Sequence, residues 1–312
     1  MHLPPVTSKF CSYTVEKLVQ KRGFRDSLAS AAQELLETHL SLPREVHYVA
    51  DLQRWMLSQM TIAMHFEHLH DPTSPPLSPS NLVRAIGNTG IASRNTVHTF
   101  LMEMRKYHFV APIERVDRRQ RAVRATEMSE HLIRRYFDIH LRALDLMDEG
   151  TRFALSCEHP ELLHYAQPRF IWMLVNCSDW YKPPHSIAKF VSSDSGSSVL
   201  HDLIKAVPPL ATDEARPIWI GKVSPKVLSS RYRISRTHTA RLFSLARESQ
   251  LIGWAKESNR GDCWISPQLV RDYLYWQAIK LASVSKAFED ACMADGFVGI
   301  SSIERPKTLG SV

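Results

Sequence analysis

The sequence predicts a mainly α-helical protein with small β-hairpins, built from two similar modules that are joined and flanked by long helices. Three observations lead to this fold class. Apolar residues recur three and four positions apart along most of the chain, which is the spacing of one helix face. One ordered group of elements occurs twice, about half a chain length apart. A short segment with hairpin character follows the main helix in each copy.

Composition agrees with a globular, two-domain protein. A chain of 312 residues fits two domains at roughly 150 residues each. Its 44% hydrophobic and 23% charged residues exclude a wholly disordered or fibrous chain. The 5 cysteines form no CxxC pair, which favours reduced thiols, and no apolar run approaches the ~20 residues of a membrane helix. We therefore expect a cytoplasmic protein.

Two helical patterns and a proline-rich segment precede the first copy. One pattern starts near Asp26, and a second, which carries a Trp and Met stripe, covers residues 51–67. The stripe consists of Trp55, Met56, Met60 and Met64. It predicts core or subunit packing, because Met fills apolar cores readily. The helix at 51–67 is therefore also the candidate seam of a homodimer. Prolines at four positions of 71–79 end this region.

The repeat itself is readable without gaps. Residues 93–110 (SRNTVHTFLMEMRKYHFV) align with residues 235–252 (SRTHTARLFSLARESQLI) at an offset of 142. A short helix pattern precedes each stretch, at 80–86 and 224–230, and a long helix follows each hairpin. Gly150 lies near the midpoint, after a helix predicted at 127–148. We expect domains at 21–150 and 151–300, with flexible tails at 1–20 and 301–312.

The main helix of each copy has one apolar and one polar face. Ser93 and Ser235 are placed to cap the two helices. The expected inward stripes are Val97, Phe100, Leu101 and Met104 in the first copy, and Thr239, Leu242, Phe243 and Ala246 in the second. The outward faces begin with Arg94 and Asn95, and with Arg236 and Thr237. These are side-chain types that hydrogen-bond base edges and phosphates.

The two hairpins differ in charge. Residues 115–124 hold 5 arginines and 1 acid, Asp117. Arginine suits phosphates and narrow minor grooves. The second hairpin is shorter, with Lys256 and Arg260 as its basic residues, and Gly261 is expected to supply the positive φ of a tight turn at 258–261. A flexible loop or a contact for an acidic partner is the alternative for the arginine-rich segment.

Positive charge is concentrated in the two copies. The chain carries +7, whereas residues 78–136 hold 11 basic and 5 acidic side chains and residues 222–276 hold 10 and 4. Each copy is therefore at +6, and the rest of the chain is at −5. This distribution is typical of nucleic-acid binding.

These elements together resemble a winged helix-turn-helix module, most like those of the MarR-type bacterial regulators. The resemblance depends on the helix at 80–87, the turn at 88–92, the helix at 93–106, the hairpin and Thr126. The second copy offers 224–231, 232–234, 235–250, 251–252 and 266–267. Such regulators carry one module per chain and dimerise, whereas this chain carries two.

The resemblance implies sequence-specific binding of double-stranded DNA by a transcription regulator associated with the nucleoid. The helices that begin at Ser93 and Ser235 would enter successive major grooves. In the first module the residues expected to contact DNA are Ser93, Arg94, Asn95, Thr96, His98, Arg105, Arg115, Arg118, Arg119, Arg121 and Arg124. In the second they are Ser235, Arg236, Thr237, His238, Arg241, Lys256 and Arg260. Because the two faces differ, we expect an asymmetric operator.

Other functions fit the sequence less well. A plasmid-type replication initiator also pairs two winged modules, and a scaffold that binds an acidic protein partner is a third interpretation. No catalytic motif is present in the sequence, so we expect no enzyme and no cofactor. His65, His68, His70 and Asp71 could share a helix face as metal ligands, but a polar helix end is the simpler interpretation, and we expect no metal. A small-molecule effector and a homodimer stay open.

Overall fold

The computed structural model describes residues 10–42, 49, 51–87, 89–113, 122–208, 216–256 and 259–294, and it is mainly helical, with two small antiparallel sheets. Up to Gly150 the elements are α1 (Val15–Gln20), α2 (Phe24–Ser41), α3 (Leu52–His70), α4 (Pro79–Ile86), α5 (Arg94–Lys106), β1 (Val110–Pro112), β2 (Val123–Ala125) and α6 (Glu127–Asp148). The predicted helix at 127–148 is therefore confirmed.

A series of short helices connects this part to the second repeat. These are α7 (Arg152–Glu158), α8 (Leu162–Val175), α9 (Ser178–Tyr181), α10 (His185–Val191) and α11 (Gly196–Lys205). The second repeat comprises β3 (Ile218–Gly221), α12 (Pro225–Arg231), α13 (Arg236–Glu248), β4 (Ile252–Lys256), β5 (Arg260–Ile265) and α14 (Pro267–Ala294). Among the described residues, no helix combines the length and hydrophobicity needed to span a lipid bilayer.

The hydrophobic core is continuous across the chain midpoint. Helix α8 packs against α3 on one side and against α14 on the other. One cluster of buried apolar side chains extends from Leu18 in α1 to Cys292 in α14. Gly150 therefore separates the two copies of the sequence repeat, but the hydrophobic core continues from one copy into the other.

Helix α3 is not a free seam for a second copy, which corrects one expectation from the sequence. Met56, Met60 and Phe66 each have 0% of their surface exposed. Their partners lie within the same chain, on α8 and on neighbouring helices. The Trp and Met stripe is thus core packing, because α8 occupies the face that a partner subunit would need.

The expectation of a flexible tail at 1–20 is wrong for its described part. Residues 15–20 form α1, which packs on α14 with Leu18 fully buried. The adjoining segment is held by Arg152, which is 0% exposed and donates to the Cys11 carbonyl at 3.0 Å. Arg152 also pairs with Asp145 at 2.9 Å and Asp148 at 2.7 Å. A buried guanidinium with two carboxylates therefore joins α6, α7 and the N-terminal segment.

The second repeat contains a strand that the sequence did not reveal. Strand β3 pairs with β5, which gives the order β3-β5-β4. In the first repeat the segment at Leu77 lies where β3 lies in the second. It is joined to β2 by a hydrogen bond from the Val123 amide to the Leu77 carbonyl, at 2.9 Å. Both segments directly precede the short helix of their repeat, α12 or α4. The two repeats thus share one topology, which is reduced to two strands in the first.

Candidate nucleic-acid interface

Helices α5 and α13 begin with the same cap. The Ser93 hydroxyl accepts a hydrogen bond from the Thr96 amide at 3.1 Å, and the Ser235 hydroxyl accepts one from the His238 amide at 3.0 Å. Each serine has an extended backbone, as a helix N-cap requires. Because the serine oxygens satisfy amides at the helix start, both N-termini are ordered. The cap therefore sets the backbone position at which each outward face begins.

The two helices also end alike. The Phe109 amide donates to the Met104 carbonyl at 2.8 Å, and the Leu251 amide donates to the Ala246 carbonyl at 2.9 Å. The residue before each amide, His108 or Gln250, has a left-handed backbone. This is the Schellman arrangement, which turns the chain sharply at a helix C-terminus. In each repeat it directs the backbone into the hairpin that follows.

The inward stripes of both helices are as predicted. Every residue of both predicted stripes is buried. The stripe of α5 packs beneath α4 and β1, and that of α13 packs beneath α12 and β4. Burial of these side chains determines which face of each helix points to solvent, since α-helical residues at other angular positions must lie outside.

The outward faces carry the candidate DNA-contacting side chains. Arg94, Asn95 and Arg105 are exposed on α5, with Thr96 and His98 half-buried beside them. On α13, Arg236, Thr237 and Arg241 are exposed and His238 is half-buried. Within the described part of the chain, the guanidinium groups of Arg94, Arg105, Arg236 and Arg241 form no ion pair. Both helices therefore present unpaired positive charge and hydrogen-bonding groups.

The first hairpin is described only at its base. Val110 pairs with Ala125, and Pro112 pairs with Val123. Arg124 is exposed on β2. The other four arginines expected to contact DNA from this hairpin, Arg115, Arg118, Arg119 and Arg121, lie outside the described residues. The described base projects from the C-terminal end of α5, as the hairpin pattern predicted.

The second hairpin corrects the predicted turn. Arg260 does not lie in the turn but pairs with Lys256 as the first residue of β5. Gly261 does have a positive φ, of 83°, but it lies inside β5. It faces the part of β4 between Trp254 and Lys256, where the register of the two strands shifts. It therefore permits a β-bulge, which needs an extra residue in one strand. Asn259, with φ 60°, has a left-handed backbone at the end of the turn, directly before β5.

Polar contacts from α3 hold α5 in place. Arg54 on α3 forms an ion pair with Glu103 on the side of α5. Gln53 donates to the Ile91 carbonyl at 2.8 Å, in the turn between α4 and α5. The turn before α5 and the C-terminal part of α5 are thus tied to α3. The orientation of the outward face of α5 therefore depends on α3.

A separate set of contacts positions α13. Helix α12 is linked to α11 by the ion pair between Arg231 and Asp202, at 2.5 Å. The Trp254 indole donates to the Val223 carbonyl at 3.2 Å and packs edge-on against the Phe243 ring. Strand β4 is thereby fastened to the segment before α12 and to the inward face of α13.

Three further side chains belong to these surfaces. Met102 is 73% exposed, between His98 and Arg105 on the outward face of α5. Arg233 is exposed in the turn before α13, with φ 52°. Arg247 donates to the Asn259 side chain at 2.9 Å and so joins the end of α13 to the hairpin tip. Helical periodicity alone is enough to place Met102 and Arg247 outward, but only the fold shows that Arg247 meets the hairpin.

The histidine-rich end of α3 has structural partners. His65 contacts Glu130 at 3.2 Å, His68 contacts the Ser74 carbonyl at 2.9 Å, and His70 stacks on Tyr165. Asp71 accepts from the Thr73 amide at 2.9 Å. No group of three or more metal-binding side chains is present among the residues that the structure describes.

No protein-family model, curated protein or solved structure matches this chain.

Proposed function

We propose that this protein binds double-stranded DNA sequence-specifically and regulates transcription, through two winged helix-turn-helix modules. Helices α5 and α13 would enter major grooves, and the hairpins β1–β2 and β4–β5 would act as wings on the flanking backbone. The observation that carries the proposal is the equivalence of α5 and α13. Each has a serine cap, a buried stripe, a basic outward face and a Schellman turn into a hairpin. A surface built twice by one chain indicates a role on a repeating ligand such as a duplex.

The pairing of arginines supports this interpretation. Three arginines in the supporting helices have acidic partners: Arg54 with Glu103, Arg142 with Glu34, and Arg152 with Asp145 and Asp148. The arginines on the outward faces of α5 and α13 lack such partners in the described structure. Phosphate groups and guanine edges are the ligands that unpaired arginines of this kind bind.

The two outward faces would read different sequences. The first has Asn95 and His98 where the second has Thr237 and Ala240. Asn recognises adenine through paired hydrogen bonds, whereas Thr and Ala contact the thymine methyl group. One chain would therefore bind two unlike half-sites in an asymmetric operator.

Selection of bound DNA from a random duplex library, with the purified full-length chain, tests the proposal. We expect enrichment of one asymmetric site, with log affinity falling linearly with log salt at a slope of about −0.9 per phosphate contact. Absence of salt-dependent duplex binding would overturn the proposal and favour the scaffold for an acidic protein. A perfect palindrome bound by one chain would contradict the asymmetric operator.

Genomic positions of the selected sites separate regulator from replication initiator. Sites within promoters support regulation of transcription. Iterated sites at an origin would reassign the protein as an initiator that uses the same two modules. The position of the sites thus decides between these functions without any change in the DNA-binding surface.

A further inference from the structure

The outer face of the three-stranded sheet carries two tryptophans side by side. Trp219 on β3 and Trp264 on β5 alternate along their strands with buried residues, so both point away from the core. They are directly opposite each other in the register of the two strands, which places their Cβ atoms about 5 Å apart. Trp219 is 50% exposed, and Trp264 is half-buried. The sheet therefore presents an aromatic surface to solvent.

The neighbouring strand determines how the Trp264 indole lies. Gly253 on β4 is opposite Trp264, and a Cβ atom added to it would come within 2.7 Å of three atoms of the indole. The ring thus lies flat across the glycine backbone, where only glycine leaves room for it. One face of the ring rests on the sheet, and the other is directed to solvent. Among the described residues, neither Trp219 nor Trp264 packs against another aromatic ring, whereas Trp254 packs against Phe243 on the inner side.

The described base of the first hairpin has no such aromatic surface. Arg124 on β2 lies opposite Ala111 on β1, at the positions that Trp264 and Gly253 occupy in the second repeat. The module therefore folds without aromatic residues at this place. Burial does not explain Trp219 either, because half of its surface stays in water. Exposed aromatic side chains that the fold does not require indicate a binding surface.

The surroundings of the two tryptophans are basic. Within the described residues of 216–222 and 247–265, the exposed side chains that carry charge are the basic Arg216, Lys222, Arg247, Lys256 and Arg260 and the acidic Glu248 and Asp262. Lys256 and Arg260 lie directly opposite each other, where like charges destabilise a sheet. A groove of about 790 Å³ runs beside Trp264, and its charged lining consists of Arg247, Glu248 and Lys256. This face thus fits a negatively charged partner that has flat rings.

We propose that the outer face of this sheet binds single-stranded DNA. Bases would stack on Trp219 and Trp264, and the phosphates beside them would lie near Arg247 and Lys256. Aromatic rings next to basic side chains bind single strands of any sequence, because every base has a face that can stack. A duplex does not fit these rings, since its bases are stacked on one another and expose only their edges in the grooves.

The choice of DNA rests on the proposed function, which places this module on DNA. The two binding surfaces are nevertheless separate. Trp254 points inward, towards Phe243 of α13, so Trp219 and Trp264 lie on the far side of the sheet from that helix. The outward face of α13 would bind a duplex, and the outer face of the sheet would bind a single strand. Each activity can therefore be measured, and can fail, without the other.

Fluorescence anisotropy of a labelled strand of about ten thymidines, with the purified full-length chain, tests the proposal. We expect binding whose log affinity falls with log salt by about 0.7 for each phosphate contacted. An abasic strand of the same length keeps the phosphates but has no bases. It should bind at least about tenfold more weakly, because stacking on both indoles is lost. Equal binding of the two strands would overturn the proposal.

Two further ligands separate single-stranded DNA from other polyanions. Poly-glutamate of the same charge has no rings that stack, so it should bind more weakly than the thymidine strand. Tighter binding of poly-glutamate would overturn the proposal and assign this face to an acidic protein. Tighter binding of a uridine RNA strand of the same length would overturn the choice of DNA and assign the face to RNA.

Two variants and a matched control locate the site. Trp219→Ala should weaken binding of the thymidine strand at least about fivefold, and Trp219→Phe should retain most of the affinity, because phenylalanine keeps a face for stacking. Tyr275→Ala removes an aromatic side chain of α14 that is 43% exposed, and it should leave binding unchanged. Binding of the selected duplex should be the same in Trp219→Ala as in the wild type.

Unchanged affinity for the thymidine strand in a folded Trp219→Ala protein, or an equal loss in Tyr275→Ala, would overturn the proposal. Circular dichroism verifies that each variant is folded. If Trp219→Ala does not fold, the comparison of thymidine and abasic strands on the wild type decides. Loss of duplex binding alone would contradict the proposed function and leave the single-strand site in place.

Discussion

His108 and Gln250 occupy the same position in the two repeats, each with a left-handed backbone two residues after the end of α5 or α13. Their φ angles are 62° and 53°. Neither is glycine, although this position favours glycine because a Cβ atom strains the left-handed conformation. The side chains are exposed. The strain is therefore a local cost of the turn that starts each hairpin.

Glycine at these positions should stabilise the protein. We expect His108→Gly and Gln250→Gly each to raise the free energy of unfolding by about 0.5–1 kcal/mol, since relief of the left-handed strain exceeds the entropy that glycine adds to the unfolded chain. Urea titration followed by circular dichroism measures this. His108→Ala serves as control and should not be stabilising. A decrease in stability in both glycine variants would contradict this prediction. It would mean that the exposed side chains of His108 and Gln250 stabilise the folded state.

Substitutions on the outward faces should alter sequence preference one half-site at a time. Arg94→Ala should change the preferred bases in one half-site and Arg236→Ala those in the other, at a cost of about 1–3 kcal/mol each. Selection from random duplexes measures both. Arg142→Ala is the matched control, because Arg142 is paired with Glu34 away from these helices. Equal weakening on every sequence for both variants would show that the base-reading face has been assigned wrongly.

The arginine-rich segment should instead contribute without sequence preference. Arg118→Ala combined with Arg119→Ala should weaken binding to all duplexes and reduce the salt slope by about 0.9 for each phosphate that the variant no longer neutralises. Affinity measured across a salt series on a selected and a scrambled duplex tests this. Weakening confined to the selected duplex would assign base recognition to this segment.

Removal of Arg152 should cost much more stability than removal of an exposed arginine. Arg152→Met would leave Asp145 and Asp148 without their buried partner, and we expect a loss of about 3–5 kcal/mol. Arg142→Met breaks a half-exposed pair with Glu34, and should cost at most about 1 kcal/mol. Chemical denaturation at pH 7 compares the two. Similar small losses would mean that the ion pairs at Arg152 do little to hold the N-terminal segment.

The same cluster should make the protein sensitive to acid. Burial tends to raise the pKa of Asp148, but hydrogen bonds from Arg152 and Tyr13 outweigh it and hold that pKa below its usual value. The folded state therefore binds the proton less tightly than the unfolded chain. The stabilisation is present above the unfolded pKa and is lost as pH falls through the folded pKa. Asp148→Asn should flatten the fall in stability at acidic pH.

Lys280 should destabilise the folded protein, most strongly at low pH. Its pKa is about 7 in the folded state and higher in the unfolded chain, so the unfolded chain binds more protons between these values. Stability should therefore rise as pH increases above 7. We expect Lys280→Met to raise the free energy of unfolding by about 2–4 kcal/mol at pH 6, and by less at pH 9. A difference in the free energy of unfolding between the two proteins that does not change with pH would contradict the lowered pKa of Lys280.

Much of the local structure was predictable because it depends on short-range chemistry. Serine capping and three- and four-residue periodicity located α5 and α13, and periodicity also predicted their buried faces. The gapless repeat predicted that the two copies would follow the same order of elements. The third strand of the second repeat was not predictable, since β3 is short and its pairing partner lies more than forty residues away in β5.

The sequence by itself determined the elements: capped helices, their buried stripes, the repeat and the location of positive charge. These properties depend on neighbouring residues and on composition. Only the tertiary structure decided that α3 is covered by α8, that Arg152 binds the N-terminal segment, and that Trp219 and Trp264 lie side by side on β3 and β5. Such features join residues far apart in the chain, and no local pattern reveals which buried polar groups will meet a partner and which will not.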